Sequence, residues 1–148
     1  MYFVERSKIE STLQYMDQLV HMLQEETYDT SVQRLALERI VQMSIESIID
    51  VGNMMIDGFI MRDPGSYEDI IDILIDEQVI PSEEEVAYKE IIALRKSLVR
   101  EYTTINHRNM LEIMKKNAKI LAQFSTYIRR YLHNELGPVS AFTNDSAQ

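Results

Sequence analysis

The chain of 148 residues has no cysteine and only three histidines. Without cysteine there can be no disulfide, no thiolate nucleophile and no cysteine-ligated zinc, and the absence suits a reducing, cytosolic setting. His21, His107 and His133 fall in no His-x3-His or His-Glu-x2-His spacing. Neither a metal site nor another cofactor is therefore expected. No uninterrupted apolar run reaches the roughly eighteen residues that a membrane helix needs. The start, Met1-Tyr2-Phe3-Val4-Glu5-Arg6, lacks the basic-then-apolar order of a signal peptide. The sequence predicts a cytoplasmic protein without membrane association.

Positive charge is scarce overall and concentrated locally. The formal net charge is −9, which by itself argues against nucleic acid, because phosphate binding is driven by Lys and Arg displacing counterions. Residues 1–88 carry a net charge of −14, residues 89–130 carry +7 and residues 131–148 carry −2. A local anion site on an acidic protein is therefore permitted, and segregation by helix dipoles and surface pairing is the plainer alternative.

What is present is helix. Ser7-x-x-Glu10, Thr30-x-x-Gln33, Ser66-x-x-Asp69 and Ser82-x-x-Glu85 each have capping-box spacing, in which the hydroxyl accepts from a free helical N–H and the acid or amide reaches back. The first helix is expected over 7–26, with Ile9, Leu13, Met16, Val20 and Leu23 inward. The second runs over 31–61 and is apolar nearly all round from Ile45, as suits a central element. Asp63-Pro64-Gly65 ends it. A third follows over 67–76, a fourth over 83–102, and a fifth begins after Asn106 and runs to Gly137-Pro138. Residues 1–136 are read as one all-α, up-and-down bundle of about five helices, and 137–148 as a disordered tail. The nine methionines are expected mainly to fill gaps in the core.

The segment Leu94-Arg95-Lys96-Ser97-Leu98-Val99-Arg100-Glu101-Tyr102 stands out. At about 100° per residue, Ile91, Ile92, Arg95, Leu98, Val99 and Tyr102 would share one helix side, setting a guanidinium and a phenol within an apolar stripe. A guanidinium there needs an internal carboxylate or an anionic ligand. Asp50, flanked by Ile49 and Val51, is a candidate internal partner for Arg95 or Arg39. Glu46, Asp50, Asn53 and Asp57 are otherwise read as a solvated stripe of the second helix.

That segment resembles the signature of the HepT-like ribonucleases of the HEPN superfamily, an arginine, a short spacer, a histidine, one further residue and a tyrosine. The order Leu37-Glu38-Arg39-Ile40, Ile45-Glu46-Ser47-Ile48-Ile49-Asp50, Ser66-Tyr67-Glu68-Asp69 and Val79-Ile80-Pro81 also resembles the family, so the likeness extends to about residue 132. It implies a HEPN-like homodimer whose paired motifs line one RNA cleft and cut without a metal ion. By that likeness Arg95 and Arg100 are the candidate catalytic positions, and Arg95, Lys96 and Arg100 the RNA- or anion-binding set. Tyr102 matches the tyrosine that a minimal nucleotidyltransferase antitoxin modifies in HepT-like toxins.

One departure governs the expected activity. Arg100 occupies the histidine position, and an arginine stays protonated at neutral pH, so it holds and polarises phosphate but does not shuttle a proton. His107, seven positions beyond Arg100, is the one nearby imidazole. It is read mainly as a helix-start residue, and His21 and His133 as solvated or satisfied side chains. The expectation is an RNA- or nucleotide-binding relative with reduced or lost endoribonuclease activity. The alternatives are an active toxin using a substitute base, and a helical protein whose Arg95 merely closes an internal pair.

Overall fold

The computed structural model describes residues 4–135 and 142–143. A two-residue strand β1 (Val4–Glu5) leads into α1 (Arg6–Glu25) and α2 (Ser31–Gly58), followed by α3 (Tyr67–Asp76). A 3-10 turn (Ser82–Glu84) then opens α4 (Glu85–Ala93), and α5 (Arg95–Val99), α6 (His107–Lys116) and α7 (Ala118–Glu135) complete the helices. The backbone of β2 (Phe142–Thr143) pairs in parallel with β1. The remainder of the expected tail, 137–148, lies outside the described residues.

The long helix α2 is the hub, packing against α1, α3, α5 and α6, while α1 also packs on α7. Its inward face, including Leu37, Val41, Ile45, Ile48, Val51 and Met55, is fully buried. The expected inner face of α1 is buried too. Among the methionines, Met16, Met55, Met110 and Met114 lie in the core, whereas Met22 is half-exposed. Tyr88 and Phe124 meet edge to face at 5.8 Å between centroids, joining α4 to α7. The two helices α2 and α3 approach so closely at Gly52 that a methyl group there would sit 2.4 Å from Cγ2 of Ile70.

Local chemistry explains most of the helix starts. Thr30 closes a full capping box, its Oγ1 accepting from the Gln33 N–H at 3.1 Å while Gln33 Oε1 accepts from the Thr30 N–H at 3.0 Å. Ser66 caps α3 through the Asp69 N–H, and Asn106 caps α6 through the Asn109 N–H. The Asp69 carboxylate accepts from the Gly65 N–H and from a two-pronged Arg62 grip, which together hold its pKa down at about 2. Two expected caps fail. Helix α1 begins at Arg6 with Glu5 as an uncapped N-cap, so Ser7 lies inside the helix, and Ser82 caps nothing because a 3-10 turn precedes α4.

Three boundaries also differ from the sequence expectation. Helix α2 ends at Gly58, short of residue 61, because Ile60 turns left-handed (φ 56) and the Met61 N–H reaches back to the Ile56 carbonyl at 2.9 Å. This is the helix-ending geometry that glycine usually supplies. The expected helix over 83–102 breaks at Leu94 and stops at Val99, since buried Leu94 and Leu98 turn α5 onto the core. Finally, the expected fifth helix breaks at buried Asn117, whose backbone N–H and Nδ2 both bond to the Ile113 carbonyl, at 3.2 and 3.1 Å. Seven α-helices therefore stand among the described residues where about five were expected.

Candidate functional site

Arg95 is the first residue of α5, on the side of the chain that also carries buried Ile91, Ile92 and Leu98, and its Nε donates to Glu46 Oε1 of α2 at 2.8 Å. The guanidinium carbon lies 4.6 Å from the ring centroid of Tyr67, the first residue of α3. The hydrogen bond to Glu46 raises the Arg95 pKa above its ordinary value, against the lowering effect of burial. Arg95 and Glu46 side chains keep 29% and 30% of their exposure, so this pair contributes at most about 1 kcal/mol to stability.

Glu46 thus takes the role for which Asp50 was a candidate. Asp50 is exposed, with its pKa raised by partial burial and by the Glu46 charge, and it pairs with neither Arg95 nor Arg39. The helical spacing of the four polar residues was real, but rotation of α2 turns Glu46, and not Asp50, toward the arginine. Tyr102 also departs from the expected stripe. It lies past the end of α5 and is 66% exposed.

Arg100 ends α5, its N–H bonded to the Lys96 carbonyl at 2.9 Å, and a turn closed by the Thr104 N–H on the Glu101 carbonyl leads toward α6. The side chains of Lys96, Arg100 and Tyr102 are exposed and have no hydrogen-bond or ion-pair partner among the described residues. His107 opens α6 with Nε2 2.7 Å from Glu38 Oε2, both side chains about a quarter exposed. Glu38 and Glu46 are eight positions apart on α2, about 12 Å along its axis. One stripe of α2 therefore anchors both helices that flank the 100–106 turn, and that turn carries the free cation and the free phenol.

His21 and His133 are exposed and stand apart from this region. Among the described residues no three His, Asp or Glu side chains gather as a metal site. A cleft of about 800 Å³ lined by Pro81, Tyr127, Arg130 and Tyr131 contains none of the motif residues.

Residues 9–128 match the family model described as ribonuclease HepT-like. The chain belongs to the HepT-like ribonuclease family. It is 48% identical over 143 residues to a Bacillus subtilis protein, YutE, named as a candidate RNase, covering 96% of this chain and 99% of that one. A solved structure of B. subtilis YutE, described as a cytosolic protein of unknown function, superposes on this HepT-like chain with a TM-score of 0.89 at 48% identity. That match covers 96% of this chain and 100% of the other. A chain from a toxin–antitoxin crystal structure with AMP-PNP shares the fold at a TM-score of 0.70 and 17% identity, covering 81% of this chain and 96% of that one.

In this HepT-like chain the signature residues face different ways. Arg95 is turned in against α2, while Lys96, Arg100 and Tyr102 stay in the open. Sequence reasoning missed Glu46 and Tyr67 as partners of Arg95. Glu46 is 49 residues from Arg95 in the chain, and no local pattern links positions so far apart. No helix among the described residues is long and apolar enough to cross a membrane.

Proposed function

We propose that this HepT-like protein acts in the cytoplasm as a homodimer that binds single-stranded RNA, or its nucleotides, in a cleft between the two copies, with endoribonuclease activity reduced or lost. The observation that carries this is Arg100. It stands exposed and unpartnered at the family's histidine position, where it attracts phosphate but does not accept or deliver a proton at neutral pH. Lys96 adds a second free cation on α5, just before the 100–106 turn, and Arg95 supplies a fixed guanidinium beside them. The acidic remainder of the chain favours binding confined to this patch, since a polyanion is repelled elsewhere.

Purified protein and labelled single-stranded RNA test the proposal. Binding should weaken steeply with salt and cleavage should be slight, and Arg100→His should raise cleavage while weakening binding and lowering the salt slope by about 0.7, the value for one phosphate contact on a single strand. Binding that ignores salt, or an Arg100→His protein as inert as the parent, would defeat it.

A second reading, an active metal-independent toxin, draws support from the His107–Glu38 pair. In the tautomer that donates Nε2–H to Glu38, Nδ1 is the acceptor that a substitute base requires. In that reading a nucleotidyltransferase antitoxin modifies exposed Tyr102, and the added negative charge repels RNA. Robust cleavage by the parent protein, abolished in His107→Gln, would favour it over the first.

A further inference from the structure

We infer that Glu46 and Tyr67 are positioning residues that hold Arg95 so that its two Nη groups face outward as a fork for a phosphate of RNA; the inference rests on the RNA-binding reading above. Arginine grips a phosphate best through two parallel N–H bonds, and a free arginine loses rotamer entropy when it does so. Here much of that freedom is already removed. Nε is engaged by Glu46 Oε1 at 2.8 Å, and the guanidinium lies over the Tyr67 ring at 4.6 Å. Hydrogen bond and ring restrain the same planar group from two sides.

The free edge follows from what is satisfied. Neither Nη of Arg95 has a hydrogen-bond partner among the described residues, and Glu84 Oε2 is the one side-chain polar atom there that is both buried and unpartnered. Both Nη atoms are therefore reached by solvent. Arg62 turns its fork onto Asp69 through both Nη atoms, and Arg129, which holds Glu10 by Nε, also commits an Nη to Asp17. Arg95 instead spends its single Nε–H on Glu46 and keeps its doubled edge open. Glu46 cancels part of the charge, but Lys96 and Arg100, both unpartnered, supply net attraction while Arg95 supplies direction.

Three elements must meet for this, α2 with Glu46, the start of α3 with Tyr67 and the start of α5 with Arg95. Close contact of α2 with α3 at Gly52 and the packing of α5 on α2 bring them together.

The test uses the full chain, a short fluorescein-labelled single-stranded RNA and a salt titration. Arg95→Ala should weaken binding about tenfold and reduce the salt slope by about 0.7, the value for one phosphate contact on a single strand. Glu46→Ala should weaken binding nearly as much, Glu46→Gln should restore most of it because its amide oxygen still accepts from Nε, and Tyr67→Phe should match the parent. Adding Glu46→Ala to Arg95→Ala should change nothing further. If Glu46→Ala tightens binding, Glu46 is a mask and the inference falls; a full extra loss on top of Arg95→Ala also overturns it. The Arg95 Nε–H signal in NMR tests positioning without RNA. It should exchange slowly in the parent and in Glu46→Gln and rapidly in Glu46→Ala, and rapid exchange in the parent would overturn the inference even if RNA binds. A parent protein with a slow Nε–H signal but no RNA affinity would overturn the RNA-binding reading and, with it, the assignment of phosphate to the fork.

Discussion

Replacing Gly52 by alanine tests how the fold sets the spacing of the site. The added methyl would lie 2.4 Å from Cγ2 of Ile70, more than 1 Å inside the roughly 3.5–4.0 Å at which carbon atoms attract. Ile70 is 2% exposed, and its methyl sits on a β-branched carbon held to one rotamer in a helix, so it does not swing aside. Relief requires α3 to move from α2, at an overpacking cost of about 1–3 kcal/mol. Exchanging glycine for alanine inside a helix returns about 1 kcal/mol. The net expectation is a loss of about 1 kcal/mol, read by calorimetry as a fall in Tm of about 3 °C for a chain of this size. Because Tyr67 begins α3, RNA binding should weaken as well. Ile70→Leu removes the branch at Cβ, and the double variant should recover part of the loss. If Gly52→Ala raises Tm, or if the two substitutions are additive, then the α2–α3 contact is softer than this reasoning holds.

Other outcomes follow from single contacts. Thr30→Ala should cost about 1 kcal/mol in urea unfolding, with Thr30→Ser near the parent, because the box with Gln33 needs only the hydroxyl. Asp69 should titrate near pH 2 in carboxyl 13C NMR, and in Arg62→Ala its midpoint should move up toward the ordinary carboxylate value. Since its folded pKa is the depressed one, the stability it adds is present above about pH 4 and is lost as pH falls toward 2. An unmoved midpoint would mean that the Gly65 N–H and not Arg62 holds the charge. Ser125→Ala, which frees Asp17 Oδ1 from a 2.9 Å hydrogen bond joining α7 to α1, should lower stability by about 1 kcal/mol in the same urea assay.

Much of the architecture was legible because it is local. The hydroxyl and amide caps at Thr30, Ser66 and Asn106 act within three residues, and the limits of α3 fall at Tyr67 and Asp76 as expected. The inner faces of α1 and α2 follow from apolar spacing alone. The breaks at Leu94 and Asn117 were not legible, because neither position carries glycine or proline and the apolar period runs through both. They arise where packing against the rest of the bundle outweighs one or two helical hydrogen bonds. The signature from Arg95 to Tyr102 was visible as residue types, but the end of α5 at Val99, which leaves Tyr102 outside the helix, was not.

The sequence by itself determined the all-helical class, the concentration of cations in residues 89–130, the family likeness and the chemical consequence of arginine at position 100. These depend on residue identity and near-neighbour spacing, which the chain carries whatever its shape. Tertiary structure decided that Arg95 meets Glu46 and Tyr67, not Asp50, and that His107 meets Glu38. Pairs separated by 49 and 69 residues form only when the hub helix α2 is rotated and docked, because the free energy that fixes that rotation comes from the buried core and not from the polar residues it brings together.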